Sequence, residues 1–236
     1  MGPVAGTGPL HGIMAFGPYT VLGLTTMLTV MTRKTLKFWS STLLLLTALG
    51  LSPVHADWTI DNDQSRVAFV STKAGNVAEV HRFGALTGSL EADGAFTVDI
   101  ALDSVDTGIE IRDQRMRELL FQTERYPRAR LTAQLDMDQL KRIGPGEQGT
   151  ISAEAALNLH GQRATLTINA AVAHLEDGSL LVSSEEPLVV TASQFELLAG
   201  VERLREIAGL PSISPAVPVT FRLTLRPREA SVSTVS

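Results

Sequence analysis

Alternation of apolar and polar residues is the feature of this chain that most limits its fold. Five segments place apolar side chains on one face and mainly polar side chains on the other. A period of two residues is typical of antiparallel strands with one face on a core and one in water. Buried parallel strands would instead read as continuous apolar runs. The alternating segments are 96–103, 129–136, 151–160, 164–173 and 217–226.

Shorter segments at 67–71, 82–90 and 180–185 also read as strands, and residues 188–192 continue or follow the last of them. About eight strands, each with one apolar face, must cover that face. A sandwich or a closed barrel would do so, and closure also removes exposed strand edges. The pattern therefore predicts an all-β fold with its strands in an antiparallel sandwich or barrel.

Turn and helix signals fall between the strands. Asp93-Gly94, His160-Gly161 and Asp177-Gly178 are typical of tight turns, and the second separates two long strands by about two residues. Two short amphipathic helices are predicted, at 112–121 and 201–208. No internal repeat or linker divides the chain after residue 56, so we expect one domain over residues 57–228, followed by a flexible tail at 229–236.

The first 56 residues resemble an export leader rather than part of that domain. A basic segment at 33–37 precedes the apolar run 43–51, and Val54-His55-Ala56 places small residues before Asp57. This order is typical of a secretory signal peptide, which we assign to residues 31–56 with cleavage after Ala56. The apolar run is shorter than the ~20 residues that a membrane-spanning helix needs. Residues 1–30 contain no charged side chain, and we interpret them as a miscalled N-terminal extension.

Composition excludes several classes of function. The chain has no cysteine, which excludes a disulfide scaffold, a thiol nucleophile and an iron–sulfur cluster. Residues 57–236 contain 17 basic and 25 acidic side chains, a net charge of −8. That balance argues against a nucleic-acid partner, because contacts with phosphates need clustered lysine and arginine.

Sequence motifs give no sign of catalysis or of a metal site. The histidines after residue 56 are His81, His160 and His174, and their spacing does not suit metal capture. His160 occupies a turn signal. No Gly-x-Ser-x-Gly elbow or Ser–His–acid spacing is present. We therefore predict a protein that is not an enzyme and holds no metal or catalytic cofactor.

The interior of the predicted barrel is lined by many small residues. Alanine recurs on the inward faces, and only eight aromatic residues follow position 56. An eight-stranded barrel is just wide enough to be filled by its own side chains or to hold one small ligand. Both interpretations stay open at this point: room for a ligand, or a core filled by larger neighbours.

Several motifs, in order and spacing, resemble the YceI-like family. The resemblance covers about residues 57–227 and departs from the family at 193–208, where a helix is predicted in place of a Gly-rich segment that contains aromatic residues. The motifs that carry it are Trp58-Thr59-Ile60-Asp61, Ser65-Arg66-Val67-Ala68-Phe69, Ser104-Val105-Asp106-Thr107-Gly108, Arg112-Asp113, Met116-Arg117, Phe121, Tyr126-Pro127, Leu157-Asn158-Leu159-His160-Gly161 and Pro218-Val219-Thr220-Phe221.

This resemblance implies an extended, lipocalin-like eight-stranded antiparallel β-barrel with short helices between strands, exported to the periplasm. It also implies a polyisoprenoid ligand, such as an isoprenoid quinone, inside the barrel. The mixed charges of segment 112–121 are compatible with a solvated helix face that has local ion pairs. They are also compatible with a helix that closes one end of the barrel, where Arg112 or Arg117 would meet a polar head group. Residues expected to contact the lipid are Val67, Phe69, Phe83, Phe96, Val98, Ile100, Leu102, Met116, Leu119, Phe121, Leu131, Leu157, Ile168 and Phe221.

Together these observations predict a periplasmic protein that sequesters or carries an isoprenoid-type lipid in an apolar cavity. Two alternatives remain: an enzyme acting on a lipid or other hydrophobic substrate with unidentified catalytic residues, or a filled barrel serving as an interaction module. The expected partner is a hydrophobic lipid rather than nucleic acid. A transient membrane contact and a homodimer are both compatible with the sequence.

Overall fold

A computed structural model describes residues 58–228 of the chain. The extension predicted at 1–30, the signal peptide predicted at 31–56 and the tail predicted at 229–236 lie outside the described residues. Among those that are described, no helix is long and apolar enough to cross a membrane.

Eight strands close into an antiparallel barrel, which confirms the predicted fold class. Pairing runs in the order β1-β4-β5-β7-β8-β9-β10-β12, and β12 then pairs with β1 to complete the ring. The strands are β1 Trp58–Ile60, β2 Arg66–Lys73, β3 Val77–Phe83, β4 Leu86–Leu90, β5 Ala95–Ala101, β6 Val105–Asp106, β7 Arg128–Gln134, β8 Gln148–Leu159, β9 Gln162–His174, β10 Leu180–Ser184, β11 Leu188–Thr191 and β12 Ala216–Pro227.

The barrel is extended at one end because β12 is long enough to pair twice on each side. Its C-terminal half pairs with β1 and β10, and its N-terminal half pairs with β2 and β11. Strands β3 and β6 continue the sheet beyond β2. The segments β1 and β2 therefore act as one bent strand, as do β3 and β4.

The single strand predicted at 82–90 is wrong, because the chain bends at Gly84 and Ala85. The Oγ of Ser104 accepts hydrogen bonds from both of these backbone N–H groups. Together with the bond from the Gly84 N–H to the Ser104 carbonyl, these bonds satisfy the backbone at the bend, and the two halves pair with different neighbours. The strand predicted at 96–103 likewise ends early: Leu102 starts a 3-10 turn, Leu102–Ser104, and is buried there.

The longest hairpin follows the sequence closely. Strands β8 and β9 pair from Gln148 with Ala173 to Leu159 with Gln162, and His160 and Gly161 form the two-residue turn. Both turn residues have positive φ, +52° and +78°. A type I′ turn requires positive φ at both positions because its twist matches that of the flanking strands. The predicted hairpin is confirmed.

Short helices cover both ends of the barrel. Helix α1, Glu110–Arg115, continues into a π-helical turn, Met116–Phe121, at the same end as α3, Leu198–Ile207. At the other end lies α2, Met137–Lys141, which the sequence pattern did not predict. The Asp136 carboxylate caps α2 by accepting from the N–H groups of Asp138 and Gln139.

Candidate functional site

A cavity of about 140 Å³ occupies the middle of the barrel. We call it the barrel cavity, and all of its lining residues are apolar. They are Val67, Leu90, Phe96, Val98, Ile100, Leu131, Ala133, Leu135, Leu140, Ile151, Ala153, Ala155, Leu157, Leu166, Ile168, Ala170, Val172, Leu180, Val182, Leu188, Val190, Val219, Phe221, Leu223 and Leu225.

Alanines on the inward faces of β7, β8 and β9 account for this space. Ala133 lies directly opposite Ala155 in the pairing of β7 with β8. Ala170 lies opposite Ile151 in the pairing of β8 with β9. Two facing methyl groups cannot reach the centre of an eight-stranded barrel, which larger side chains would fill. This arrangement favours room for a ligand over a filled core.

A second cavity, of about 300 Å³, lies at the end covered by α1 and α3. We call it the cap cavity, and its lining combines apolar residues with a cluster of polar ones. The lining residues are Val67, Phe69, Ser71, Lys73, Glu79, His81, Phe83, Ile100, Leu102, Arg112, Arg115, Met116, Leu120, Phe121, Ala129, Leu157, Leu159, Val190, Ala192, Leu197, Val201, Leu204, Ala208, Leu210, Ile213, Ser214, Val217 and Val219.

The two cavities adjoin one another. Five residues line both of them: Val67, Ile100, Leu157, Val190 and Val219. We call this shared ring the waist. The barrel cavity and the cap cavity thus meet at apolar side chains.

Of the fourteen residues expected to contact a lipid, the structure places thirteen around these two cavities. Leu119 is the exception: its neighbour Leu120 lines the cap cavity instead. The wall formed by α3 and the segment after it was not among the expected contacts. Leu204 belongs to the apolar face of the predicted helix, so a signal existed, but no sequence pattern marks Leu210 or Ile213.

The polar side of the cap cavity is organised around Glu79. Its carboxylate accepts from Arg112 Nη1 at 2.7 Å and lies 2.9 Å from Lys73 Nζ. The hydrogen bond with Lys73 is the main reason why the pKa of Glu79 is lowered, and the charge of Arg112 adds to it. Glu79 is therefore an anion held between two cations.

Arg112 is fixed by further contacts on α1 and the loop before it. Its Nε donates to Thr107 Oγ1 at 2.8 Å, and its Nη2 donates to the Thr107 carbonyl at 2.7 Å. The buried Asp113 accepts from the Thr107 backbone N–H at 2.9 Å and from its hydroxyl. Arg112 thus reaches the cavity with its donors largely engaged by the protein.

Arg117, the other residue predicted to meet a head group, lies elsewhere. Its Nη2 donates to Glu110 Oε1 at 2.7 Å, and it lines neither cavity. Arg115 takes that place: it lies three residues after Arg112 and one before Met116, on the helix face that borders the cap cavity. Within residues 58–228, the Arg115 side chain has neither an ion pair nor a hydrogen-bond partner.

His81 is the most deeply buried polar group of the cap cavity, with 4% of its surface exposed. Its Nδ1 has no hydrogen-bond partner, and its Nε2 lies 3.9 Å from Glu79 Oε2. Burial is the main reason why the pKa of His81 is lowered, and the nearby charge of Arg112 adds to it. The imidazole is therefore neutral near pH 7 and has an unused hydrogen-bonding nitrogen.

The other two histidines have structural contacts. His160 Nδ1 lies 3.2 Å from the Phe195 carbonyl, and His174 Nδ1 lies 2.8 Å from the Ile143 carbonyl. No group of three potential metal ligands occurs in the part of the chain that the structure describes.

Comparison with known proteins identifies one family. The model of the YceI-like domain matches residues 58–225. A polyisoprenoid-binding domain from Saccharophagus degradans, implicated in plant cell wall breakdown, is 35% identical, with a TM-score of 0.71 over 74% of this chain and 99% of that one. BcnA from Burkholderia cenocepacia is 18% identical, with a TM-score of 0.53 over 70% of this chain and 98% of that one, a likeness of fold. A search of the curated proteins finds no match.

Proposed function

The chain belongs to the YceI-like family, and from that premise we propose that it binds an isoprenoid-type lipid inside its barrel. The observation that carries this proposal is the wholly apolar lining of the barrel cavity, which adjoins the cap cavity at the waist. The 35% identical neighbour described as polyisoprenoid-binding supports the choice of ligand class. The role is to sequester or carry the lipid.

Desolvation supplies the binding free energy in this proposal. Transfer of a CH₂ group from water to an apolar site is worth about 0.8 kcal/mol, so one five-carbon isoprene unit contributes about 4 kcal/mol before ordering costs. A site of this kind needs few polar groups, because shape and apolar area hold most of the ligand. That requirement explains why catalytic motifs are missing from the sequence.

The predicted signal peptide leads us to propose that the protein acts in the periplasm after cleavage following Ala56. A lipid that crosses the periplasm needs a protein that encloses its chain, because the chain is insoluble in water. A transient membrane contact and a homodimer belong to the same proposal.

One observation favours the enzyme alternative, namely the buried His81 with its lowered pKa. General base catalysis also needs a substrate proton within reach and a group that orients the base. The nearest carboxylate, Glu79, lies 3.9 Å away and is engaged by Lys73 and Arg112. A binding role for His81 therefore fits its surroundings better than a catalytic one.

The test is native mass spectrometry of protein purified from its own periplasm, followed by solvent extraction. We expect a co-purifying lipid of constant mass, and uptake of an added prenyl quinone by the extracted protein. Ala155→Phe, which fills the barrel cavity, is the matched control and should take up less. Absence of both co-purifying lipid and uptake would overturn the proposal, and a change in ligand mass during incubation would favour the enzyme.

A further inference from the structure

The polar residues of the cap cavity are concentrated on three elements. Ser71 and Lys73 lie on β2, Glu79 and His81 on β3, and the two arginines on α1. The part of the lining formed by α3 and the segment up to β12 is mainly apolar, apart from Ser214. This distribution suits an amphiphile whose polar end meets these polar residues while its chain continues toward the waist.

The charge of this polar side is positive. Lys73, Arg112 and Arg115 line the cavity with one carboxylate, that of Glu79. Glu79 is already held by Lys73 and Arg112. Among the residues that the structure describes, Arg115 is left without a counter-charge. A cation on the wall of a largely apolar cavity favours an anionic partner, because desolvation strengthens their attraction.

His81 adds a second, independent observation. A buried polar atom without a partner costs free energy, and such atoms are rare unless a ligand or water completes them. The Nδ1 of His81 is such an atom, and His81 lines the cavity that Arg115 borders. In the tautomer that carries its proton on Nδ1, the imidazole donates to an acceptor oxygen placed in the cavity.

We propose that the cap cavity binds the acidic head group of the lipid, a carboxylate or a phosphate, between Arg115 and His81. This inference rests on the proposed function and adds the chemical class of the ligand's polar end. Arg115 provides charge-assisted hydrogen bonds, and His81 Nδ1 donates another. The chain lies across the waist with its end in the barrel cavity, because burying an anion among only apolar groups would be very costly.

Matched pairs of ligands test the head group separately from the chain. The probes are farnesyl phosphate with farnesol, and palmitate with hexadecanol, each titrated calorimetrically into extracted protein. We expect the acid of at least one pair to bind at least about tenfold more tightly than its alcohol, as a charged hydrogen bond predicts. Preference for farnesyl phosphate points to a prenyl phosphate, and preference for palmitate points to a free fatty acid.

Three variants assign that preference to residues. Arg115→Gln and His81→Phe should weaken binding of the acid while leaving the alcohol nearly unchanged. The control is Arg117→Gln, on the same helical segment but paired with Glu110, and it should behave like the original protein. Equal affinities for acid and alcohol, or equal effects of Arg115→Gln and Arg117→Gln, would overturn this inference. Failure of every probe to bind would instead overturn the proposed function.

A measurement on the original protein tests the same contact without depending on whether a variant folds. Binding of an anion beside His81 should raise the pKa of its imidazole, which NMR titration follows in the original protein. Farnesyl phosphate or palmitate should produce that rise, and the corresponding alcohol should not. An unchanged His81 signal with bound acid would contradict the proposed contact.

Discussion

Substituting Val190 by phenylalanine should block the waist and cut off the barrel cavity from the ligand's chain. Val190 lies on β11, lines both cavities and pairs with Val217 of β12. A phenylalanine at this position would place a phenyl group among the five side chains that form the waist. A ligand with a long chain would then be confined to the cap cavity, whereas a ligand with a short chain would bind with unchanged affinity.

The size of the effect follows from the volume that the ligand can no longer fill. Unfilled apolar space costs about 24 cal/mol per Å³ in protein cores. For the barrel cavity of about 140 Å³ this amounts to about 3.4 kcal/mol. At 1.4 kcal/mol per factor of ten, affinity for a long prenyl ligand should fall by up to about 300-fold.

Calorimetric titration of extracted protein with geranylgeranyl and geranyl derivatives of one head group measures this effect. Val190→Phe should strongly reduce the affinity for the geranylgeranyl ligand and change the affinity for the geranyl ligand very little. Val189→Phe is the control, since Val189 is the adjacent residue and its side chain is 57% exposed. If Val190→Phe folds normally and still binds the longer ligand as tightly as the original protein, the chain does not pass the waist.

Three further predictions concern the barrel itself. Ala155→Leu places three more carbon atoms in the barrel cavity and should raise the free energy of unfolding of the empty protein by up to about 2 kcal/mol in urea; destabilisation would indicate a filled core. Gly88→Ala should destabilise the protein by about 3 kcal/mol or more, because the new Cβ would lie 2.1 Å from the Thr97 carbonyl oxygen. Gly84→Ala is the control: the nearest atom to its Cβ would lie at 3.6 Å, so it should have little effect in the same assay. Burial lowers the pKa of His81 from 6.5, so the imidazole of the unfolded chain is protonated first as pH falls. The free energy of unfolding should therefore decline below about pH 6.5, by at most about 1.4 kcal/mol per pH unit from this group, and His81→Phe should remove that part of the decline.

The alternating segments were predictable because strand geometry is local. Side chains of a strand point to opposite faces in turn, so the apolar positions of β5, β7, β8, β9 and β12 had to face one side. A sandwich or a closed barrel would cover that side, and the pairing of β12 with β1 shows that the barrel forms. The turn at His160 and Gly161 was equally local, since its length and residues select the type I′ geometry.

Local rules failed where the chain changes its geometry. An α-helix through Met116 would return both Leu119 and Leu120 to the same face. The segment Met116–Phe121 instead forms a π-helical turn, which pairs residues five apart and so contains more residues per turn. Leu120 and Phe121 therefore face the cap cavity with Met116, and Leu119 does not.

The sequence by itself determined the five alternating strands, the apolar face of each and the family to which the chain belongs. Only the tertiary structure decided that the interior is two cavities joined at a waist, and that Arg115 rather than Arg117 borders one of them. The physical reason is distance along the chain. Glu79 and Arg112 are 33 residues apart in sequence, and their ion pair forms only when β3 and α1 meet at the end of the barrel. Period and propensity act over a few neighbouring residues, whereas the polar side of this cavity is assembled from segments that only the closed barrel brings together.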